Sequence, residues 1–250
     1  MKDVLIYCDE GVGPHSFKQT MKGLKEVLSP THYRLVPVNH VYFTSQEWEK
    51  NTALIVFPGG RDLPYHHHLR GHANQRIARY VSNGGAYLGI CAGAYYGSAM
   101  VEFEKGSPLE IIEARELAFF PGTACGPAYG NNLFCYESES GAKIAPVKWL
   151  ENGEITPLYY NGGCHFVKAH EHKNVSLLAT YEDMDLSAVI LCQVGLGSAL
   201  LSGVHPEYSP SLMKAKDPLS KALVLALKKS ETERRIFWKR LISNVLLTEI

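Results

Sequence analysis

Short uninterrupted apolar runs at residues 4–7, 53–57, 86–90, 188–191 and 199–204 recur along the chain, and helical periodicity fills the gaps between the early ones. A run of four to six apolar residues with no polar alternation fits a strand buried on both faces, as in a parallel sheet with helices on either side. Ser16-Phe17-Lys18-Gln19 has the form of a capping box and predicts a helix to about Leu28, with Phe17, Met21, Leu24 and Leu28 on one face. A second helix is expected at about 69–82, stopped by Asn83-Gly84-Gly85. The alternation predicts an α/β fold, a flavodoxin-like, doubly wound and mostly parallel sheet, whose ligand crevice lies beyond the carboxyl ends of the strands.

With 250 residues, 46% of them hydrophobic, the chain can bury one sizeable core without a metal or disulfides, so a single domain over 1–250 is expected. Residues at about 101–172 break the alternation with Gly, Pro and aromatics, and are read as an insertion of hairpins and loops over one sheet edge. C-terminal helices are expected at about 217–248, the last one docking through a stripe that includes Ile236, Leu241 and Val245. Twenty-five basic residues balance twenty-five acidic ones, which gives no field for nucleic acid or an anionic membrane. No run has membrane length, the N-terminus has no signal-peptide pattern, and the six cysteines read as reduced thiols in a cytoplasm. The expected partner is a small-molecule substrate or ligand, with a homo-oligomer or a separate partner protein left open.

Chemistry concentrates after three of the strands. Gly89-Ile90-Cys91-Ala92-Gly93 is a nucleophile elbow: glycines permit a sharp strand-to-helix turn that projects the Cys91 thiol where helix N–H groups favour thiolate. Pro58-Gly59-Gly60 ends near it, and the amides of Gly59, Gly60 and Ala92 are candidates for an oxyanion hole. Gly203-Val204-His205-Pro206-Glu207 follows the last strand and supplies a general base, His205, with an orienting carboxylate, Glu207. Each motif alone has a plainer explanation as a turn, a structural cysteine or a surface histidine; the three in order do not.

Together these motifs resemble the class I glutamine amidotransferase superfamily. The extended run 89–97, Phe119-Phe120-Pro121-Gly122, Gly126-Pro127-Ala128 and Tyr159-Tyr160-Asn161-Gly162-Gly163 are similar to the N-terminal domain of eukaryotic-type biotin–protein ligases and their stand-alone bacterial relatives, over about residues 1–210. The resemblance implies a catalytic triad of Cys91, His205 and Glu207. Glutaminases of the superfamily usually carry Gln where Tyr95 stands, which argues against glutamine as substrate. The Gly-Arg-Gly-rich loop and catalytic lysine that make biotinyl-AMP are not found in these residues.

Further substrate-binding candidates are Glu10, in the loop after the first strand, Tyr95 itself, and Tyr160, Asn161 and Gly162 in an aromatic, glycine-rich segment. Glu113 and Arg115 read as an ion pair. His66-His67-His68 reads as a solvated loop rather than a metal site, and neither a metal nor another cofactor is expected. Three functions follow: a thiol-dependent hydrolase or amidotransferase-like enzyme, a non-catalytic small-molecule-binding or regulatory module, and a redox or aldehyde-reactive cysteine protein.

Overall fold

The computed structural model describes residues 1–130, 133–135 and 138–247; the last expected helical position, 248, lies outside them. The chain begins with β1 (Lys2–Tyr7), α1 (Pro14–Val27), β2 (Tyr33–Val38), α2 (His40–Ser45), β3 (Thr52–Phe57), α3 (Asp62–Leu69), α4 (His72–Ser82), β4 (Ala86–Ile90) and α5 (Ala92–Tyr96). Then come β5 (Ser98–Phe103), β6 (Ile111–Ala114), β7 (Phe120–Gly126), β8 (Lys143–Trp149), β9 (Ile155–Tyr160) and β10 (His165–Phe166). It closes with β11 (Val175–Tyr181), β12 (Leu186–Val194), β13 (Gly197–Ser202), α6 (Pro218–Lys229) and α7 (Glu231–Leu246).

The main sheet has the order β2-β1-β3-β4-β13-β12-β11-β8-β9. Every pairing from β2 to β13 is parallel, and every pairing from β13 to β9 is antiparallel. The α/β architecture is as expected, with the parallel order confined to one half. The 188–191 run sits inside β12 and runs antiparallel; it is apolar throughout because that strand is also covered on both faces. The insertion is more regular than expected. Its residues form a second sheet, β10-β7-β5-β6, and lengthen the main one through β8 and β9.

Alternation along the strands divides the interior into two cores. Leu5, Tyr7, Phe57, Tyr87 and Leu201 face Tyr65, Leu69 and Ile77 of the helices and Val101, Phe120 and Phe166 of the second sheet. Val4, Ile6, Val56, Leu88 and Leu200 face the opposite way, onto Leu24 of α1 and Trp238, Leu241, Ile242 and Val245 of α7. The last helix therefore docks on its own domain's sheet. Ile236 is not part of the contact; it is 47% exposed, and Phe237 and Trp238 take the buried positions.

Three local expectations change. The first helix starts at Pro14 with Gly13 as its N-cap, and Ser16 caps nothing; its hydroxyl accepts the Gly59 N–H at 3.0 Å instead. The helix expected at 69–82 is α4, which starts at His72, separated by Arg70 and Gly71 from an additional helix, α3, that ends at Leu69. That places His66-His67-His68 on α3 rather than in a loop. Among the described residues no helix is long and apolar enough to cross a membrane.

Candidate active site

Cys91 sits where β4 hands over to α5, with φ of 50° and ψ of −104°. A non-glycine residue in that region is strained, and a packed surrounding must hold it there. Gly89 and Gly93 allow the packing: a Cβ on Gly93 would run into the Phe57 carbonyl of β3, and one on Gly89 into the Gly93 backbone. The Cys91 amide is anchored to the Ser202 carbonyl of β13 at 2.8 Å. The elbow is thus held by main-chain contacts to both neighbouring strands, and its side chain is aimed at the rim.

His205 reaches the same rim from β13. Its backbone N–H donates to the Tyr159 carbonyl at 2.9 Å, which ties the turn to β9. The ring and the Glu207 carboxylate are both buried, with Nδ1 and Oε1 2.8 Å apart. Burial alone would lower the imidazole pKa; the Glu207 charge and side-chain hydrogen bonds to Cys91 and Glu207 outweigh it and push the value up to about 10. Imidazole and carboxylate are therefore paired within one turn, and Cys91 reaches the same rim from a stretch far away in sequence.

Cys91 and His205 border a cavity of about 250 Å³ at the carboxyl ends of the parallel strands, where the topology places a crevice. Gly60 and Ala92 also line it. The third oxyanion-hole candidate, Gly59, gives its N–H to Ser16 Oγ. Its missing side chain matters more, since a Cβ there would lie 2.6 Å from His205 Cε1.

The other candidates divide. Asn161 and Gly162 line the cavity; the Asn161 carbonyl accepts from Cys91 Sγ at 3.8 Å, and its buried Oδ1 has no partner among the described residues. Tyr95 is a wall whose hydroxyl donates to the Gly162 carbonyl at 3.0 Å. Tyr160 does not reach the cavity. It is a core residue, 1% exposed, whose hydroxyl donates to the Gly163 carbonyl while its ring packs on Tyr129 and Tyr181. Glu10 lies outside the cavity lining: its exposed carboxylate meets His68 Nε2 of α3 at 2.8 Å. Arg115 pairs with Glu113 as expected, and also with buried Asp62, at 2.8 Å each. Among the described residues no group of three His, Cys, Asp or Glu side chains is arranged to hold a metal.

Sequence reasoning missed His15, Tyr159 and Tyr208. Tyr159 and Tyr208 stack with ring centres 4.4 Å apart, and His15 meets Tyr208 edge-on at 5.3 Å. Burial holds the His15 pKa below the ordinary imidazole value, with the His205 charge adding to it against the pull of Glu139. These three residues and Asn161 also border an adjoining groove of about 550 Å³ along the 212–220 segment. Two of them carried a usable signal: Tyr208 stands immediately after the His-Pro-Glu motif, and Tyr159 opens the aromatic segment 159–163.

The fold defines the class. A glutamine amidotransferase of Thermotoga maritima shares the fold with a TM-score of 0.61 at 12% identity, covering 98% of each chain. A second glutamine amidotransferase gives 0.59 at 17% identity, over 90% of this chain and 98% of the other. The architecture is that of the glutamine amidotransferase-like folds. More narrowly, the chain belongs to the family described as biotin-protein ligase, N terminal, which matches residues 2–249. An uncharacterized protein of Chlamydia muridarum is 38% identical over 253 residues, covering 98% of this chain and 97% of the relative. A biotin–protein ligase of Schizosaccharomyces pombe is 37% identical over 214 residues, covering 83% of this chain but only 33% of the relative, so the likeness spans about a third of that ligase.

Proposed function

We propose that the protein is a cysteine-dependent acyl-transfer enzyme, a hydrolase or amidotransferase-like protein, acting on a small amide or related acyl compound through Cys91, His205 and Glu207. The observation that carries this is a buried imidazole paired with a carboxylate and lining the same cavity as the Cys91 thiol. His205 takes the Cys91 proton, and Sγ attacks the carbonyl carbon to form a C–S bond. The oxyanion is received by the Gly60 and Ala92 amides. Collapse breaks the bond to the leaving amine, which takes its proton from His205, and leaves a thioester. Water, deprotonated by His205, then releases the acid and restores the thiol. Glu207 holds the ring orientation and balances the imidazolium charge.

Two features bear on the substrate. The Tyr95 ring, secured by its bond to the Gly162 carbonyl, stands where glutaminases usually carry Gln, which supports an acyl group other than glutamine's. The adjoining groove behind Tyr159 and Tyr208 suits a compound longer than a single amino-acid amide. The same Tyr95 plug favours a second reading, a binding module in which the thiol is unused.

Incubation with p-nitrophenyl esters and intact-mass analysis separates the two. An acyl adduct on Cys91, absent in Cys91→Ala and formed on the order of 100-fold more slowly in His205→Asn, is the expected result. No adduct, together with a ligand response in thermal shift that Cys91→Ser retains, would favour the binding module.

A further inference from the structure

The C-terminal helix does more than cover the sheet. Arg234 of α7 is a buried cation, its side chain 0% exposed, and its Nη1 donates to the carbonyl of Pro206 at 2.7 Å. Pro206 is the residue between His205 and Glu207. The rest of the guanidinium is fixed by Glu231, with Nε to Oε2 at 2.8 Å and Nη2 to Oε1 at 2.9 Å, and by Glu26 of α1 at 3.4 Å. One turn further along α7, Trp238 packs against the same glycine of α1 as Glu207: a Cβ on Gly23 would lie 3.0 Å from Trp238 Nε1 and 3.2 Å from Glu207 Cβ.

A buried guanidinium loses hydration that only good partners restore. Two carboxylates hold its charge, and the Pro206 carbonyl receives a fork arm at a distance typical of a charge-assisted bond. Proline gives the turn a fixed φ, but its following peptide plane remains free to rotate, and that plane sets where Glu207 points. The bond from Arg234 fixes the orientation of this plane. It does so from a different helix, tied by its ion pairs to α1 and to its own first turn.

We propose that Arg234 is a positioning residue for the proposed reaction: by holding the Pro206 carbonyl it sets the turn so that the Glu207 carboxylate meets His205 Nδ1, and α7 is thereby a part of the active site that never touches substrate. This rests on the triad assignment above. Arg234 has no route to the cavity, so its effect must appear through the state of the His205–Cys91 pair rather than through substrate affinity.

The test is the rate of Cys91 alkylation by iodoacetamide between pH 5 and about pH 10, the latter being the value to which His205 is raised, read by peptide mass spectrometry alongside thermal unfolding. Arg234→Met is expected to slow alkylation at neutral pH by about tenfold, in line with the sensitivity of reacting groups to misplacement, and to shift the pH profile. Arg234→Lys keeps a charge near the glutamates without the fork that also reaches Pro206, and should fall between wild type and Arg234→Met. A folded Arg234→Met or Arg234→Lys that keeps the wild-type profile while losing only thermal stability would overturn the proposal, and the lysine variant keeps it testable if the methionine variant does not fold. His205→Asn runs in parallel. If that variant leaves Cys91 reactivity unchanged, the triad assignment itself fails; if it abolishes the enhancement while both Arg234 variants behave as wild type, only the positioning role is lost.

Discussion

The loop after β4 and the loop after β1 leave the same carboxyl rim of the parallel strands, yet they turn their side chains in opposite directions. After β4 the chain is pinned by glycine packing on β3 and an amide bond to β13, and Cys91 has no alternative to facing the cavity. After β1 the carboxylates find other partners: Asp9 accepts from the His40 backbone and ring, and Glu10 pairs with His68, whose ring stacks on His40. That second loop serves the site through its backbone, with Gly13 N–H on the Gly59 carbonyl at 3.0 Å and the Gly11 carbonyl taking the Arg61 N–H at 2.8 Å. Position at the rim is therefore set by topology, but which atoms face the ligand is decided by the partners available within a few ångströms.

If main-chain fit governs the first loop, its disruption should have the largest effect. Gly93→Ala is expected to destabilise the protein by more than about 3 kcal/mol, since the new methyl meets a backbone oxygen that cannot step aside; chemical denaturation measures it. Glu207→Gln should cost about 2 kcal/mol at pH 7, the range for hydrogen bonds to a charged group. The sign of its pH dependence follows from His205. A raised folded-state pKa contributes stability that is whole below the ordinary imidazole value of 6.5 and is lost as pH rises through about 10. The gap between wild type and Glu207→Gln should accordingly narrow across that window, and a gap that widens would contradict the pairing.

Ser16→Ala removes the acceptor for the Gly59 N–H and should cost about 1 kcal/mol, with a measurable change in Cys91 alkylation because Gly59 packs beside the His205 ring. The smallest effect belongs to the outward loop. Glu10→Gln is expected to stay within about 0.5 kcal/mol, as for exposed polar contacts, and to leave Cys91 reactivity as it is. A large effect on reactivity there would erase the contrast between the two loops.

The residues that could be placed from sequence are those whose type is dictated by the backbone or by chemistry. Gly89, Cys91 and Gly93 fall in this group, as do His205 and Glu207, and so do the apolar strands β1, β3, β4 and β13. What escaped depends on non-local pairing or on competition between partners. β2 carries Pro37 and a half-exposed pattern, as an edge strand does. β5 and β7 pair in parallel across the intervening strand β6, a partnership that no local pattern announces. Ser16 matches a capping box, yet Gly13 holds the cap and the hydroxyl goes to Gly59, because a tertiary donor was nearer than a local one. Tyr160 and its neighbour Asn161 point to opposite sides of one segment, and sequence alone could not say which of the two would see the cavity.

The seat of the sulfur is made of peptide groups: a carbonyl of β3 against a glycine, and a carbonyl of β13 holding an amide. Of the surrounding rings, Tyr87 braces it through its hydroxyl on the Gly93 carbonyl, while the side chains of Tyr159 and Tyr208 take no part. Exchange of Tyr159 or Tyr208 would therefore reshape the cavity wall while the Cys91 sulfur stays at the same address.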